Sequence, residues 1–184
     1  ITIGIIGVGR IGQRVLRRLS SFGTPRILVN DLNPDDSLIP QTKLVWTDKE
    51  EIYKQADVIS MHLPLTKHTK NMIRAEHIAL MKPDAILINT ARGGIINELD
   101  LANALNAGHL HGAAIDVFES EPYTGPLADI ERCILTSHMG SMTVDCRTRM
   151  EIEATEEAAR FLKGLPLERE VPEEEYDVQR LSYE

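Results

Sequence analysis

Apolar residues follow two alternating rhythms along this chain. Short apolar runs recur at Ile3 to Ile6, Arg26 to Asn30, Lys43 to Trp46, Asp57 to Leu63, Ala85 to Asn89, His111 to Val117 and Cys133 to Thr136. Their length and their bounding turn residues predict buried strands. Between them, apolar residues repeat at helical spacing from Gln13 to Leu19, Lys49 to Ala56, Ala75 to Met81, Glu98 to Asn106 and Thr143 to Lys163. Local chemistry supports these bounds. Thr47 or Asp48 can cap the second helix, with Glu50 and Glu51 in its first turn, and Gly108 suits the end of the fourth. Gly23-Thr24-Pro25, Pro64 and Lys82-Pro83-Asp84 break the pattern where one element must end.

Strands alternating with helices predict an α/β fold, a Rossmann-type doubly wound parallel sheet with helices on both faces. Two βαβαβ-like halves are the only internal repeat expected. The pattern assigns residues 1–164 to one dinucleotide-binding domain. Residues 165–184 hold seven acids against two arginines, with two prolines, and read as an exposed acidic tail or a return segment.

The strongest local signal is Gly7-Val8-Gly9-Arg10-Ile11-Gly12, set between an apolar run and a helical pattern. In that context Gly7 permits the sharp turn, Gly9 lets backbone approach a pyrophosphate, and Gly12 lets helix and strand pack closely. Asp31 stands 19 residues beyond Gly12, where an acid accepts hydrogen bonds from ribose hydroxyls. A carboxylate there repels a 2′-phosphate, and no arginine follows to attract one, so NAD is favoured over NADP.

Composition narrows the setting. A length of 184 residues with 42% hydrophobic content suits one domain with a proper core. The net charge of −8 argues against nucleic acid as a partner. The basic cluster Arg14, Arg17 and Arg18 reads as a solvated helix face. Two cysteines without a C-x-x-C pair point to a reduced, cytoplasmic setting. No apolar stretch approaches 20 residues, so no membrane span is expected, and no secretory signal is visible. The abrupt start inside a core strand suggests that the chain is an excised or truncated part of something larger.

Ligands in open α/β sheets sit outside the carboxyl ends of the strands. That rule places His109 and His111 at the wrong end and His62 inside a strand, where a structural hydrogen bond suits it. His68 and His77 read as solvated. His138 follows the last strand on a small-residue loop, and histidine titrates nearest neutral pH, so it is the candidate general acid/base. Arg92, Asp116, Glu119 and Glu121 also follow strands. An arginine there can hold a carboxylate through two parallel hydrogen bonds, and an acid near a histidine can orient it. No H-x-x-x-H or H-E-x-x-H spacing supports a metal.

With these residues in place the sequence resembles the cofactor domain of the D-isomer-specific 2-hydroxyacid dehydrogenases. The resemblance runs from about Ile1 to Gly164. It rests on the glycine turn, Leu63-Pro64-Leu65-Thr66, Asn89-Thr90-Ala91-Arg92-Gly93-Gly94, Gly112-Ala113-Ala114-Ile115-Asp116-Val117-Phe118-Glu119 and Ser137-His138-Met139-Gly140-Ser141. It implies an NAD-dependent oxidoreductase acting on a small 2-hydroxy or 2-oxo acid. Arg92 would bind the substrate carboxylate, His138 would exchange the proton, and Glu121 would hold His138. Gly7, Gly9, Arg10, Ile11 and Gly12 would meet the pyrophosphate and Asp31 the ribose. Leu63, Pro64 and Thr69 would line the adenosine side; Thr90, Ala91, Arg92, Asp116, His138 and Gly140 would surround the nicotinamide end.

Ser137 stands where the family commonly has proline. The resemblance further implies a second domain, built largely from residues before the glycine turn, so this chain alone is expected to bind NAD with little turnover. It also implies a homodimer through the cofactor domain. A non-enzymatic, NAD-responsive corepressor of the same fold is the alternative, and a short-chain dehydrogenase fails for want of a Tyr-x-x-x-Lys pair.

Overall fold

The structure is a computed structural model that describes residues 1–23, 25–35 and 44–170. Seven strands form one sheet: β1 (Thr2–Ile6), β2 (Arg26–Asn30), β3 (Leu44–Trp46), β4 (Val58–Met61), β5 (Ile86–Asn89), β6 (Gly112–Ile115) and β7 (Cys133–Leu135). They lie in the order β3-β2-β1-β4-β5-β6-β7, and every pairing is parallel. Parallel neighbours need crossovers. Four helices are interspersed with them: α1 (Arg10–Leu19), α2 (Lys49–Gln55), α3 (Ala75–Ile78) and α4 (Glu98–Asn106). The strand order reverses between β1 and β4, the switch point at which such sheets bind ligands.

Strand alternation sends neighbouring residues to opposite faces. Ile5, Ile27 and Val29 pack with Leu16 of α1 on one face, whereas Ile6, Leu28, Ile59 and Leu87 pack with Ile52, Ile78 and Leu101 of α2, α3 and α4 on the other. The doubly wound sheet expected from the sequence is therefore the observed one. Most bounds differ by a residue or two, as helix and strand ends do. The helix expected to reach Met81 is α-helical only to Ile78; Leu80 and Met81 then donate to His77 and Ile78 in a tighter turn that buries Met81. A 3-10 turn at Pro126–Asp129 carried no sequence signal that we read.

The capping expectations are resolved in detail. Asp48, rather than Thr47, accepts from the Glu51 N–H at 2.8 Å. Gly108 takes φ +72° just past α4, the left-handed position glycine tolerates. Thr24, Lys43 at the expected start of the third strand, and the acidic tail past residue 170 lie outside the described residues.

The chain forms two units, one from Ile1 to Ser137 that holds the whole sheet, and one beginning at His138. The second contains α5 (Val144–Leu162), capped by Thr143. No residue of α5 is buried, and Phe161 and Leu162 are 72% and 84% exposed. Past Gly164 the chain turns back along the helix, where Arg160 pairs with Glu168 at 2.8 Å and Glu157 accepts from the Glu168 N–H. Among the described residues no helix is long and apolar enough to cross a membrane.

Leu87 is fully buried in β5 at the middle of the sheet. Leu87→Ala should cost about 2–5 kcal/mol of stability through the cavity it leaves. Urea denaturation measures this, and a loss well under 1 kcal/mol would contradict the packing described.

Candidate active site

The glycine turn joins β1 to α1 at the switch point. Gly7 has φ +94°, and a Cβ added there would stand 2.4 Å from the His62 carbonyl oxygen at the end of β4. Backbone therefore meets backbone between the two strands, which only glycine permits. A Cβ on Gly12 would come within 2.1 Å of the Gly7 carbonyl, so α1 packs directly on the turn. At Gly9, by contrast, nothing lies within 4 Å of the added atom. Gly9 is the N-cap of α1, with no side-chain cap bond and no acid in the first helical turn. The positive end of the helix thus faces open space, an arrangement suited to an anion.

Asp31 sits one residue beyond β2 and belongs to the same construction. Its Oδ2 accepts from the Val8 N–H at 2.6 Å and its Oδ1 from the Asn33 N–H at 3.0 Å. The carboxylate is thereby held beside the glycine turn. Leu63 and Pro64 follow β4, and Thr69 closes their loop by donating to the Pro64 carbonyl at 2.7 Å. His62 bonds the Ser60 hydroxyl through Nε2 at 2.9 Å, as expected of a structural histidine, and burial lowers its pKa from the ordinary value.

Beyond the switch point, three strand-end loops are locked together. Asn89, 2% exposed, folds the Thr90-Ala91-Arg92 turn over itself: its Oδ1 accepts from the Ala91 N–H and its Nδ2 donates to the Arg92 carbonyl. Arg92 is exposed and its Nη1 donates to the Ala91 carbonyl at 2.7 Å. A Cβ on Gly93 would fall 1.9 Å from the Phe118 carbonyl oxygen, so the loops after β5 and β6 touch through backbone. Asp116 is buried after β6, where its N–H donates to the Asn89 carbonyl and its carboxylate accepts from the Thr136 hydroxyl. Glu121 turns back to accept from the Phe118 N–H at 3.0 Å. Phe118 stacks on Tyr123 with centroids 4.1 Å apart, and a cavity of about 500 Å³ opens between these rings, Glu121, Leu135, Thr136 and Ser137.

The structure sorts the remaining candidates. His138 follows Leu135 by three residues and has φ +52°, a left-handed conformation that non-glycine residues adopt rarely and often at functional positions. His109 donates from Nε2 to the Ile78 carbonyl at 3.0 Å, away from the carboxyl edge. His77 is a correction: it is half-buried rather than solvated, accepting from the Arg74 N–H and meeting Tyr53 edge-on. Burial pushes the Cys133 thiol up to about 11, which makes it a core thiol and no nucleophile. Sequence reasoning singled out neither Asn89, Glu98 nor Thr136 as site-building residues. A polar residue closing an apolar strand was the available signal for Asn89.

Residues 1–140 match the model of the D-isomer specific 2-hydroxyacid dehydrogenase, NAD binding domain, family. The chain belongs to that family. It is 40% identical over 169 residues to D-3-phosphoglycerate dehydrogenase of Bacillus subtilis, covering 90% of this chain and 32% of that protein. It is 39% identical over 168 residues to glyoxylate reductase of Thermofilum pendens, covering 89% and 49%. Among solved structures, D-lactate dehydrogenase with NAD+ from Lactobacillus jensenii superposes with a TM-score of 0.83 at 31% identity, covering 93% of this chain and 55% of that one. The chain thus spans between about a third and just over half the length of these relatives.

The residues of this NAD-binding domain fit its cofactor. The Gly9 side of the turn is open, α1 brings no acid of its own to its first turn, and Asp31 stands beside the turn. All three are what a dinucleotide with a central pyrophosphate and a free ribose requires.

His62 should titrate below the ordinary histidine range when followed by NMR. Because burial favours its neutral ring, its contribution to stability is complete above the unfolded pKa. It is lost as pH falls through that value towards the lower folded one. A midpoint at or above the ordinary value would refute its burial.

Proposed function

We propose that the chain is the NAD-binding part of an oxidoreductase that interconverts a small 2-hydroxy acid and its 2-oxo acid. The observation that carries this reading is the series of polar residues along one sheet edge: Asp31, Arg92 and Asp116 follow β2, β5 and β6 at the carboxyl edge that also bears the glycine turn after β1. NAD supplies hydride acceptance and donation at its nicotinamide when bound. The protein positions, orients and exchanges a proton.

In this reading Arg92, exposed at the edge, binds the substrate carboxylate by paired hydrogen bonds and polarises the neighbouring 2-oxo group. His138 gives its proton to the 2-oxygen in reduction and takes it back in oxidation. Glu121 is the acid that orients His138, and Asp116 meets the carboxamide end of the cofactor. Gly7, Gly9, Arg10, Ile11 and Gly12 hold the pyrophosphate. Leu63, Pro64 and Thr69 line the adenosine side, and Thr90, Ala91 and Gly140 complete the nicotinamide surroundings. Asp31 selects NAD over NADP by accepting from the ribose and repelling a 2′-phosphate. Residues 1–164 form the cofactor domain, and residues 165–184 are an acidic tail or a return segment. Residues outside this chain complete substrate recognition. A homodimer and a cytoplasmic location follow from the family resemblance alone.

Titration of NADH fluorescence should show binding, and Asp31→Ala should weaken NADH more than NADPH. A folded chain indifferent to millimolar NADH would end the cofactor assignment. In the full-length protein, His138→Ala should slow reduction of 2-oxo acids by about a hundredfold or more. A panel of pyruvate, hydroxypyruvate, 3-phosphohydroxypyruvate and 2-oxoglutarate identifies the substrate, and an unchanged rate in the variant removes His138 from the mechanism.

A further inference from the structure

We propose that Glu98, the first residue of α4, is a positioning residue that fixes the loop bearing Glu121 for the proton-transfer step. The inference rests on the functional reading above and deepens it. Glu98 Oε1 accepts from the Glu119 N–H at 2.7 Å, linking positions 21 apart in sequence. The preceding amide, Phe118 N–H, donates to Glu121 Oε1 at 3.0 Å. Two consecutive backbone donors therefore engage two carboxylates, one on α4 and one that is the proposed partner of His138.

The helix does not need this carboxylate for its own start. Asn97 already caps α4 by accepting from the Asp100 N–H at 3.0 Å, and Asp100 accepts from the Ala75 N–H. Nor is Glu98 comfortably solvated. Burial first, and the neighbouring charge of Glu119 after it, raise its carboxyl pKa, while the hydrogen bond from Glu119 opposes them. A half-buried acid that is dispensable as a cap and disfavoured by its surroundings is retained in one bond, to the loop after β6.

The anchor at the other end of that bond is rigid. Leu101, Ala102 and Leu105 bury α4 in the core. Ile96 bridges Ile73, and the Asn71 N–H donates to the Gly94 carbonyl, which ties the approach to α4 to a third segment. Gly93 presses on the Phe118 carbonyl from the same side. Lys70 reaches the Glu119 carboxylate at 3.7 Å, so the Glu119 side chain has a cation of its own while its backbone N–H bonds Glu98. Loss of the Glu98 acceptor would leave a backbone donor next to Phe118 without its partner and free the segment that holds Glu121.

The test compares Glu98→Gln, which keeps an acceptor oxygen at the same reach, with Glu98→Leu, which removes it at similar size, in the full-length protein. We expect E98Q to keep kcat within about threefold and E98L to lose about tenfold or more in kcat. The NADH Kd should be unchanged in both, since a lost transition-state group lowers kcat without altering uniform binding. Should E98L fail to fold, Glu98→Asp, one methylene too short, takes its place with the same expected loss. Amide exchange at Glu119 should be faster in E98L or E98D than in E98Q. Equal kcat in wild type and E98L overturns the proposal, as does an equal loss in E98Q and E98L. If His138→Ala is inert as well, the functional reading fails; if only the Glu98 variants are inert, this inference fails alone.

Discussion

Backbone meeting backbone at the carboxyl edge of the sheet is the constraint on which the rest depends. At Gly7 against His62, and at Gly93 against Phe118, a single Cβ would stand within 2.4 Å and 1.9 Å of a carbonyl oxygen. The first contact closes the switch point between β1 and β4; the second joins the loops after β5 and β6. A sheet of this kind is stabilised by its buried faces. Its edge would splay if each loop had to accommodate side chains, and the two glycines prevent that.

Once the loops are pinned, short-range bonds orient the polar groups to which the proposed function gives roles. Asp31 holds the glycine turn through Val8, and Asn89 folds the turn that carries Arg92. Thr136 holds Asp116, and the Phe118 N–H holds Glu121. Each bond joins a residue to an element distant in sequence or to a turn that cannot otherwise keep its shape. The same logic distinguishes the histidines: His62 and His109 spend their ring nitrogens on Ser60 and Ile78, whereas His138 is set apart by its backbone conformation.

α5 follows a different rule. Most of the helix pattern in the sequence is amphipathic, and α1 to α4 each bury part of their apolar face, through Leu16, Ile52, Ile78 and Leu101, while Ile11 and Leu99 stay exposed. α5 buries none; within its own unit it is capped by Thr143 and tied by the ion pairs of Arg160 and Arg169. Periodicity therefore located the helix correctly but could not say what its apolar stripe would face.

The sequence by itself determined the strand and helix order, because parallel strands buried on both sides must be apolar runs separated by amphipathic crossovers. It also picked out the glycine turn and Asp31, which the structure brings together through the Val8 amide. Tertiary structure alone decided which loops Asn89, Glu98 and Thr136 tie together. Thr136 and Glu98 meet partners 20 and 21 residues away, and Asn89 bonds within a turn whose folding depends on its buried amide, and no local period reports that. It also decided that His77 is half-buried, since the ring of Tyr53 comes from α2. Local pattern records which face a residue prefers; only the packed sheet edge records which backbone donor it meets.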